Sequence, residues 1–226
     1  VNHEDVAAVA LGSWVACGAL SDRRIGSDEV EATAKRIEAR GGFPIPTHER
    51  VVAALNRKAG TAEGRAKARL ALARMAPLRA PIEASLIARG LPPELLAVAM
   101  AESSFDPSAR TSRPPERQSV GLWQIMPATA RKLGLEISAT RDDRLDPSRS
   151  TTAAAQYLSD LHTRFGDWPV AIAAYNGGPA AIAPLVAGLD RDQARKKLLE
   201  TDSEFGRYLA SVMASALLIE DPTLLD

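Results

Sequence analysis

From Thr47 onward the chain is a run of short segments with apolar residues three and four positions apart, and proline or glycine cuts off one segment from the next. That punctuated period belongs to helices that each bury one face, and it is incompatible with a series of alternating strands. The segments are Glu49–Lys58, Ala62–Arg74, Pro77–Arg89, Glu94 to about Glu102, Ala128–Leu133, Ser148–Phe165, Pro169–Tyr175, Ala180–Val186, Arg191–Leu199 and Glu204–Ile219. Gly90-Leu91-Pro92-Pro93 breaks the chain and restarts it, with Pro93 placed for a first helical turn. Ser103 to Gly121 lacks any period and reads as a long irregular segment, with room for a few short β-bridges near 105–125. Alanine is abundant throughout, and it is the best helix former and a poor strand former. The fold class expected is all-α.

Upstream, Val6–Ala19 reads as an apolar helix and Asp28–Arg40 as a second one, with Ser27 as N-cap and Gly41-Gly42 as the stop. Phe43-Pro44-Ile45-Pro46 reads as an extended connector, because a residue preceding proline avoids the helical region. The expected organisation is a helical N-terminal extension over residues 1–75 and a catalytic domain over residues 76–226.

Composition narrows the function by exclusion. The 28 basic and 28 acidic residues cancel, so long-range steering onto nucleic-acid phosphates has no support. The single cysteine, Cys17, excludes an internal disulfide, and three scattered histidines make no usual zinc site. No metal or cofactor is expected. No apolar run reaches the ~18 residues that a membrane-crossing helix needs. Trp14-Val15-Ala16-Cys17 loosely resembles a lipoprotein cleavage site, but acidic Glu4-Asp5 stand where a signal peptide carries Lys or Arg. This stretch is read as a buried helix with a core cysteine, and any export signal as removed or outside this chain.

One acidic residue stands out. Leu95, Val98 and Ala99 precede Glu102 by seven, four and three positions, which puts the carboxylate on the apolar face of its helix. It also sits at the helix C-terminus, where the macrodipole disfavours negative charge. Both effects raise a carboxyl pKa toward the range of a general acid. Periodicity alone leaves a second reading open, an idle glutamate on a frayed helix end.

The surrounding text favours the first. Ala101-Glu102-Ser103-Ser104-Phe105-Asp106-Pro107, then Gly121-Leu122-Trp123-Gln124-Ile125-Met126-Pro127, then Ala174-Tyr175-Asn176-Gly177-Gly178-Pro179 occur in that order. This resembles the soluble-lytic-transglycosylase domain, glycoside hydrolase family 23, with its three motifs. Upstream, Phe43-Pro44-Ile45-Pro46, Leu72-Ala73-Arg74 and Gly90-Leu91-Pro92 resemble the lead-in of the membrane-bound lytic murein transglycosylase D group, so the likeness covers roughly residues 43–215.

The resemblance implies a lysozyme-like lobe with a substrate groove, and peptidoglycan glycan strands as the partner. It implies non-hydrolytic cutting of the β-1,4 bond between N-acetylmuramic acid and N-acetylglucosamine, leaving 1,6-anhydromuramoyl ends, with Glu102 as the single catalytic acid and base. It further implies that Tyr175, Asn176 and Gln124 line the groove, that Met126 walls the sugar, and that Tyr208 faces the glutamate. Met126 as core filler and Tyr208 as a surface tyrosine remain alternatives. The substrate-contacting serine of the family falls at Thr111, with Ser112 beside it. The turn before motif two is replaced by Arg113-Pro114-Pro115-Glu116-Arg117-Gln118-Ser119-Val120, about four residues longer, which reads either as a stiff basic loop beside the groove or as a solvated insertion. Location in the periplasm or cell envelope follows from the same resemblance.

Two other functions fit the same text. A goose-type lysozyme would share the fold and deliver water, but it needs an aspartate across the groove, and Asp106-Pro107 looks like a turn. A catalytically silent wall-binding module would keep the groove without cutting. His48, His162, Asp146 and Trp168 are read as structural: two solvated or structural histidines, a helix cap and a core anchor.

Overall fold

The computed structural model describes residues 22–226, so the expected Val6–Ala19 helix, with Trp14 and Cys17, lies outside the described residues. Within them the chain forms eleven α-helices: α1 (Ser27–Ala39), α2 (Glu49–Leu55), α3 (Ala62–Met75), α4 (Arg79–Ile87), α5 (Leu96–Ser103), α6 (Pro127–Lys132), α7 (Pro147–Phe165), α8 (Trp168–Gly177), α9 (Pro179–Val186), α10 (Arg191–Glu200) and α11 (Glu204–Glu220). No β-sheet forms among them. Isolated antiparallel bridges pair Arg110 with Val120, Val120 with Ile125, and Ile137 with Asp142, the first two inside the segment where bridges are expected. No described helix is long and apolar enough to cross a membrane.

Sequence spacing places the helices well and their ends less well. The first cap shifts by one residue: Gly26, not Ser27, is the N-cap of α1. Its backbone N–H is held by the Glu29 carboxylate reaching back over 3.1 Å, so the cap works from the third helical position rather than from a serine hydroxyl. The segment 49–58 does not continue as one α-helix. It widens into a π-turn at Asn56–Gly60, pinned by the Asn56 amide, which donates to the carbonyls of Ile25 and Val52 at 2.9 Å each. The helix expected from Glu94 begins as a 3₁₀ turn at Pro93–Leu95 and becomes α-helical at Leu96.

Helix α11 is the axis of the molecule. From Leu209 to Ile219 only Ser211 escapes full burial, and the helix packs against α1, α2, α5, α8 and α10. A helix apolar on every side is stable only when other helices surround it. Helix α5 obeys the same logic, with Leu96 to Met100 all buried. Helices α7 and α8 pack against each other. Gly166, at φ 68°, turns the corner, and the Asp167 carboxylate caps α8 through the Val170 N–H at 3.2 Å.

The N-terminal helices pack onto the C-terminal one. Arg36 pairs with Asp221 at 2.6 Å, and Arg40 with Glu220. Arg50 donates to the Thr201 carbonyl at 3.1 Å, and Arg69 to the Leu225 carbonyl at 2.6 Å. One apolar cluster runs from Ile25 to Leu225 beneath these links.

Candidate active site

Helix α5 delivers Glu102 to the surface of this core. Its preceding residues are locked in apolar packing, so the helix direction is fixed and the carboxylate emerges at its last turn. There the chain makes a sharp exit. Ser104 and Phe105 both adopt left-handed conformations, with φ of 53° and 56°. Two successive non-glycine residues in that region cost about 1–2 kcal/mol each. The cost is offset by the Phe105 ring, which is wholly buried, and by Ser103, whose hydroxyl donates to the Leu122 carbonyl at 2.8 Å. That bond ties the glutamate's helix to the second motif.

Glu102 is half-buried. Its Oε1 accepts a 2.7 Å hydrogen bond from the Tyr208 hydroxyl on α11. Burial pushes the carboxyl pKa from 4.5 up to about 7, and the Tyr208 bond opposes that rise by favouring the charged form. Among the described residues no second carboxylate contributes to the shift. The group is therefore close to half-protonated near neutral pH, able both to give and to take a proton. Burial first, and the Glu102 charge next, hold the phenols of Tyr208 and Tyr175 well above their ordinary range. Both stay neutral and remain donors.

Tyr175 lies close enough to feel the glutamate's charge, but its hydroxyl donates to the Trp123 carbonyl at 2.8 Å. The direct partner of Glu102 is Tyr208. Tyr157 on α7 packs its ring 5.5 Å from that of Tyr175, tilted by 50°, and nothing in the motif text singles it out.

The second motif is a stitched loop. Gln124, at φ 48°, uses its whole amide inside it. The Nε2 donates to the carbonyls of Gly121 at 2.8 Å and Ala109 at 3.2 Å, and Oε1 accepts from the Ser119 hydroxyl at 3.1 Å. Thr111 joins the same chain: the Ser119 N–H donates to its Oγ1 at 3.1 Å, and the two hydroxyls are 3.3 Å apart. Thr111 and Gln124 thus hold the loop's shape, and both stay half-buried at its surface. Ser112, Asn176 and Met126 are exposed, and the side chains of Ser112 and Asn176 make no hydrogen bond among the described residues. The extended loop from Arg113 to Arg117 is solvent-facing, with a 3₁₀ turn at Pro115–Arg117.

Sequence reasoning missed what supports this loop. Arg144, the last of four consecutive charged residues Arg141-Asp142-Asp143-Arg144, is 3% exposed. Its guanidinium grips Asp142 with bonds of 2.9 and 2.8 Å and donates to the carbonyls of Gln118 at 2.7 Å and Ile125 at 3.1 Å. Its own backbone oxygen lies where a Cβ on Gly121 would sit, 2.0 Å away, and Gly121 has φ 82°. Only glycine fits. Trp123 is fully buried, with its indole N–H donating to Thr151 Oγ1 at 3.0 Å.

The residues read as structural sit in structural places. His48 caps α2, its Nδ1 accepting the Arg50 N–H at 3.1 Å. Asp146 caps α7 through the Arg149 N–H at 2.9 Å. Trp168 is half-buried and stacks on His162 with centroids 4.0 Å apart. Asp106 takes both the N–H and the hydroxyl of Ser108, at 2.9 and 2.7 Å. Among the described residues no cluster of three His, Cys, Asp or Glu side chains could hold a metal.

The described residues form a sheetless helical lobe in which Glu102 emerges from the end of a buried helix. The fold matches the X-ray structure of an inactive mutant of the lytic transglycosylase Slt from Pseudomonas aeruginosa, with TM-score 0.55 and 24% identity over 88% of this chain and 31% of that one. The sequence profile of the transglycosylase SLT domain matches residues 79–197, just over half of the chain. The chain belongs to that family. It is 36% identical over 139 residues to membrane-bound lytic murein transglycosylase D of Escherichia coli K12, a match covering 59% of this chain and 29% of that protein. It is 41% identical over 83 residues to peptidoglycan transglycosylase gp16 of Escherichia phage T7, covering 36% of this chain and 6% of gp16. The matched region spans less than a third of the E. coli relative's length.

Proposed function

We propose that this chain cuts peptidoglycan glycan strands by intramolecular transglycosylation, with Glu102 as sole acid and base. The observation that carries the proposal is a half-buried carboxyl whose pKa lies at about 7 and whose only side-chain hydrogen-bond partner among the described residues is the neutral Tyr208. Ordinary retaining and inverting glycosidases divide the work between two carboxylates. Here one group does both steps. Protonated Glu102 donates its proton to the glycosidic oxygen as the bond to muramoyl C1 breaks and the N-acetylglucosamine end leaves. The resulting carboxylate takes the proton of the muramoyl 6-hydroxyl as that oxygen bonds to C1, which closes the 1,6-anhydro ring and restores the acid. The substrate's own N-acetyl group stabilises the positive charge between the steps. No water enters the balance.

Tyr208 is a positioning residue in this scheme: it holds Oε1 and lowers the cost of the charged form. Tyr175 and Gln124 keep the loop carbonyls and the floor of the groove in place. Thr111, Ser112, Met126 and Asn176 supply the exposed surface that meets the sugars. Residues 76–226 form the catalytic domain, and α1 buttresses the end of α11 through the Arg36–Asp221 and Arg40–Glu220 pairs. The substrate sets the place of action at the cell envelope.

A goose-type hydrolase is less well supported, because Asp106 is committed to the Ser108 turn and no other carboxylate among the described residues perturbs Glu102. The test is mass spectrometry of soluble products from purified peptidoglycan, with Glu102→Gln alongside. Muropeptides one water lighter than their reducing-end forms, absent with the variant, are expected. Reducing ends alone would overturn the proposal.

A further inference from the structure

Beside the end of α5, the helix that carries Glu102, lies a cavity of about 170 Å³ lined by the π-turn, α3 and α5 itself. Arg57, Lys58 and Lys67 line it, together with Met100 and Ser104, which flank Glu102 in sequence. Lys67 is paired with Glu63 at 2.6 Å. Arg57 and Lys58 have no carboxylate within ion-pair distance among the described residues, although the chain as a whole carries equal numbers of acids and bases. Adjacent like charges without a counter-ion are unfavourable, more so where one of them is withdrawn from water. Lys58 is in that position: burial, and secondly the charge of Arg57, lower its ammonium pKa.

The backbone that carries these cations is held rigidly. Asn56 anchors the π-turn to Ile25, whose N–H donates to the amide oxygen at 2.8 Å. Gly60 accepts from the Arg23 N–H at 2.9 Å. Gly64 lets α3 close on the turn, since a Cβ there would stand 2.3 Å from the Arg57 carbonyl. π-turns interrupting helices recur at functional sites, and a preformed pocket loses little entropy on binding.

We infer that this pocket takes a carboxylate of the peptide stem that hangs from the muramoyl sugar, with Lys58 as its main counter-ion and Arg57 at the rim. The inference rests on the proposed peptidoglycan substrate. It assigns a function to the π-turn, which lies outside the residues matched by the family profile.

The test is equilibrium binding to the otherwise intact Glu102→Gln chain, which removes cutting from the readout. A disaccharide bearing its tetrapeptide stem is compared with the same disaccharide without peptide. The stemmed ligand should bind at least about tenfold more tightly, the scale of one hydrogen bond to a charged group. Adding Lys58→Met should erase the difference, and Lys58→Arg should restore most of it. Equal affinity for both ligands, or a preference that survives Lys58→Met, would overturn the inference. So would inorganic phosphate competing as well as the stemmed ligand, because the pocket would then be a general anion site. Weaker folding of Lys58→Met without any change in ligand preference would make Lys58 structural and also overturn it. Failure of the native chain to cut peptidoglycan, measured separately, would remove the catalytic proposal while leaving this binding result readable.

Discussion

Replacing Glu102 with glutamine should stabilise the protein above neutral pH and leave it unchanged in acid. The carboxyl rises from 4.5 to about 7 on folding, chiefly through burial. Between these values the unfolded chain is ionised while the folded chain still holds its proton, so stability falls as pH climbs through that window and levels off above it. A full shift of that size would cost ~3 kcal/mol at pH 8, and partial solvent contact of the half-buried group brings this to about 1–3 kcal/mol. Glutamine is neutral at every pH, and its amide oxygen can keep the Tyr208 bond. For a chain of this length 1 kcal/mol moves the melting temperature by about 2–4 °C. Melting curves should therefore show Glu102→Gln higher by roughly 2–12 °C at pH 8 and indistinguishable at pH 4. An equal shift at both pH values, or a lower melting temperature at pH 8, would refute the reasoning that burial sets the protonation of Glu102.

Other substitutions probe the same arrangement. Tyr208→Phe removes a bond that favours the carboxylate, so the pH limb of kcat/KM assigned to Glu102 should move upward by about one pH unit. A limb that stayed near 7 would show that the tyrosine does not tune the acid. Tyr175→Phe loses the bond to the Trp123 carbonyl, and denaturation should register about 1 kcal/mol of lost stability with the pH limb in place. Arg144→Met leaves half-buried Asp142 only its looser 4.0 Å contact with Arg110 and frees two loop carbonyls, so urea unfolding should show a loss of about 3 kcal/mol. Gly121→Ala forces a Cβ onto the Arg144 carbonyl in a left-handed turn, and at least ~2 kcal/mol should go, with activity falling further than stability.

The helices were legible because their cause is local. Apolar spacing and the Gly/Pro breaks mark where each one runs, and no tertiary fact is needed to read them. The π-turn at Asn56–Gly60 was not legible, since the Asn56 amide that pins it bonds to Ile25, 31 residues away. The position of Glu102 on the apolar face could be read from its helix, but its half-protonated state depends on how α11 closes over it. Tyr208 could be placed at the glutamate only through resemblance to a family, because 106 residues separate the two partners. Arg144 was missed for a related reason. In sequence it is one of four charges in a row, and only the folded loop shows that two of its bonds go to carbonyls flanking motif two. Burial of a charge is a tertiary fact, and the nearest sequence signal was the loop that has to be supported.

The most direct test of the central claim is cleavage of purified peptidoglycan in water enriched with heavy oxygen, with products read by mass spectrometry. If Glu102 drives attack by the muramoyl 6-hydroxyl, the new muramoyl ends carry no label and are one water lighter than reducing ends. Heavy oxygen at C1 of the new ends would show that water is the acceptor, and the transglycosylase account would be wrong.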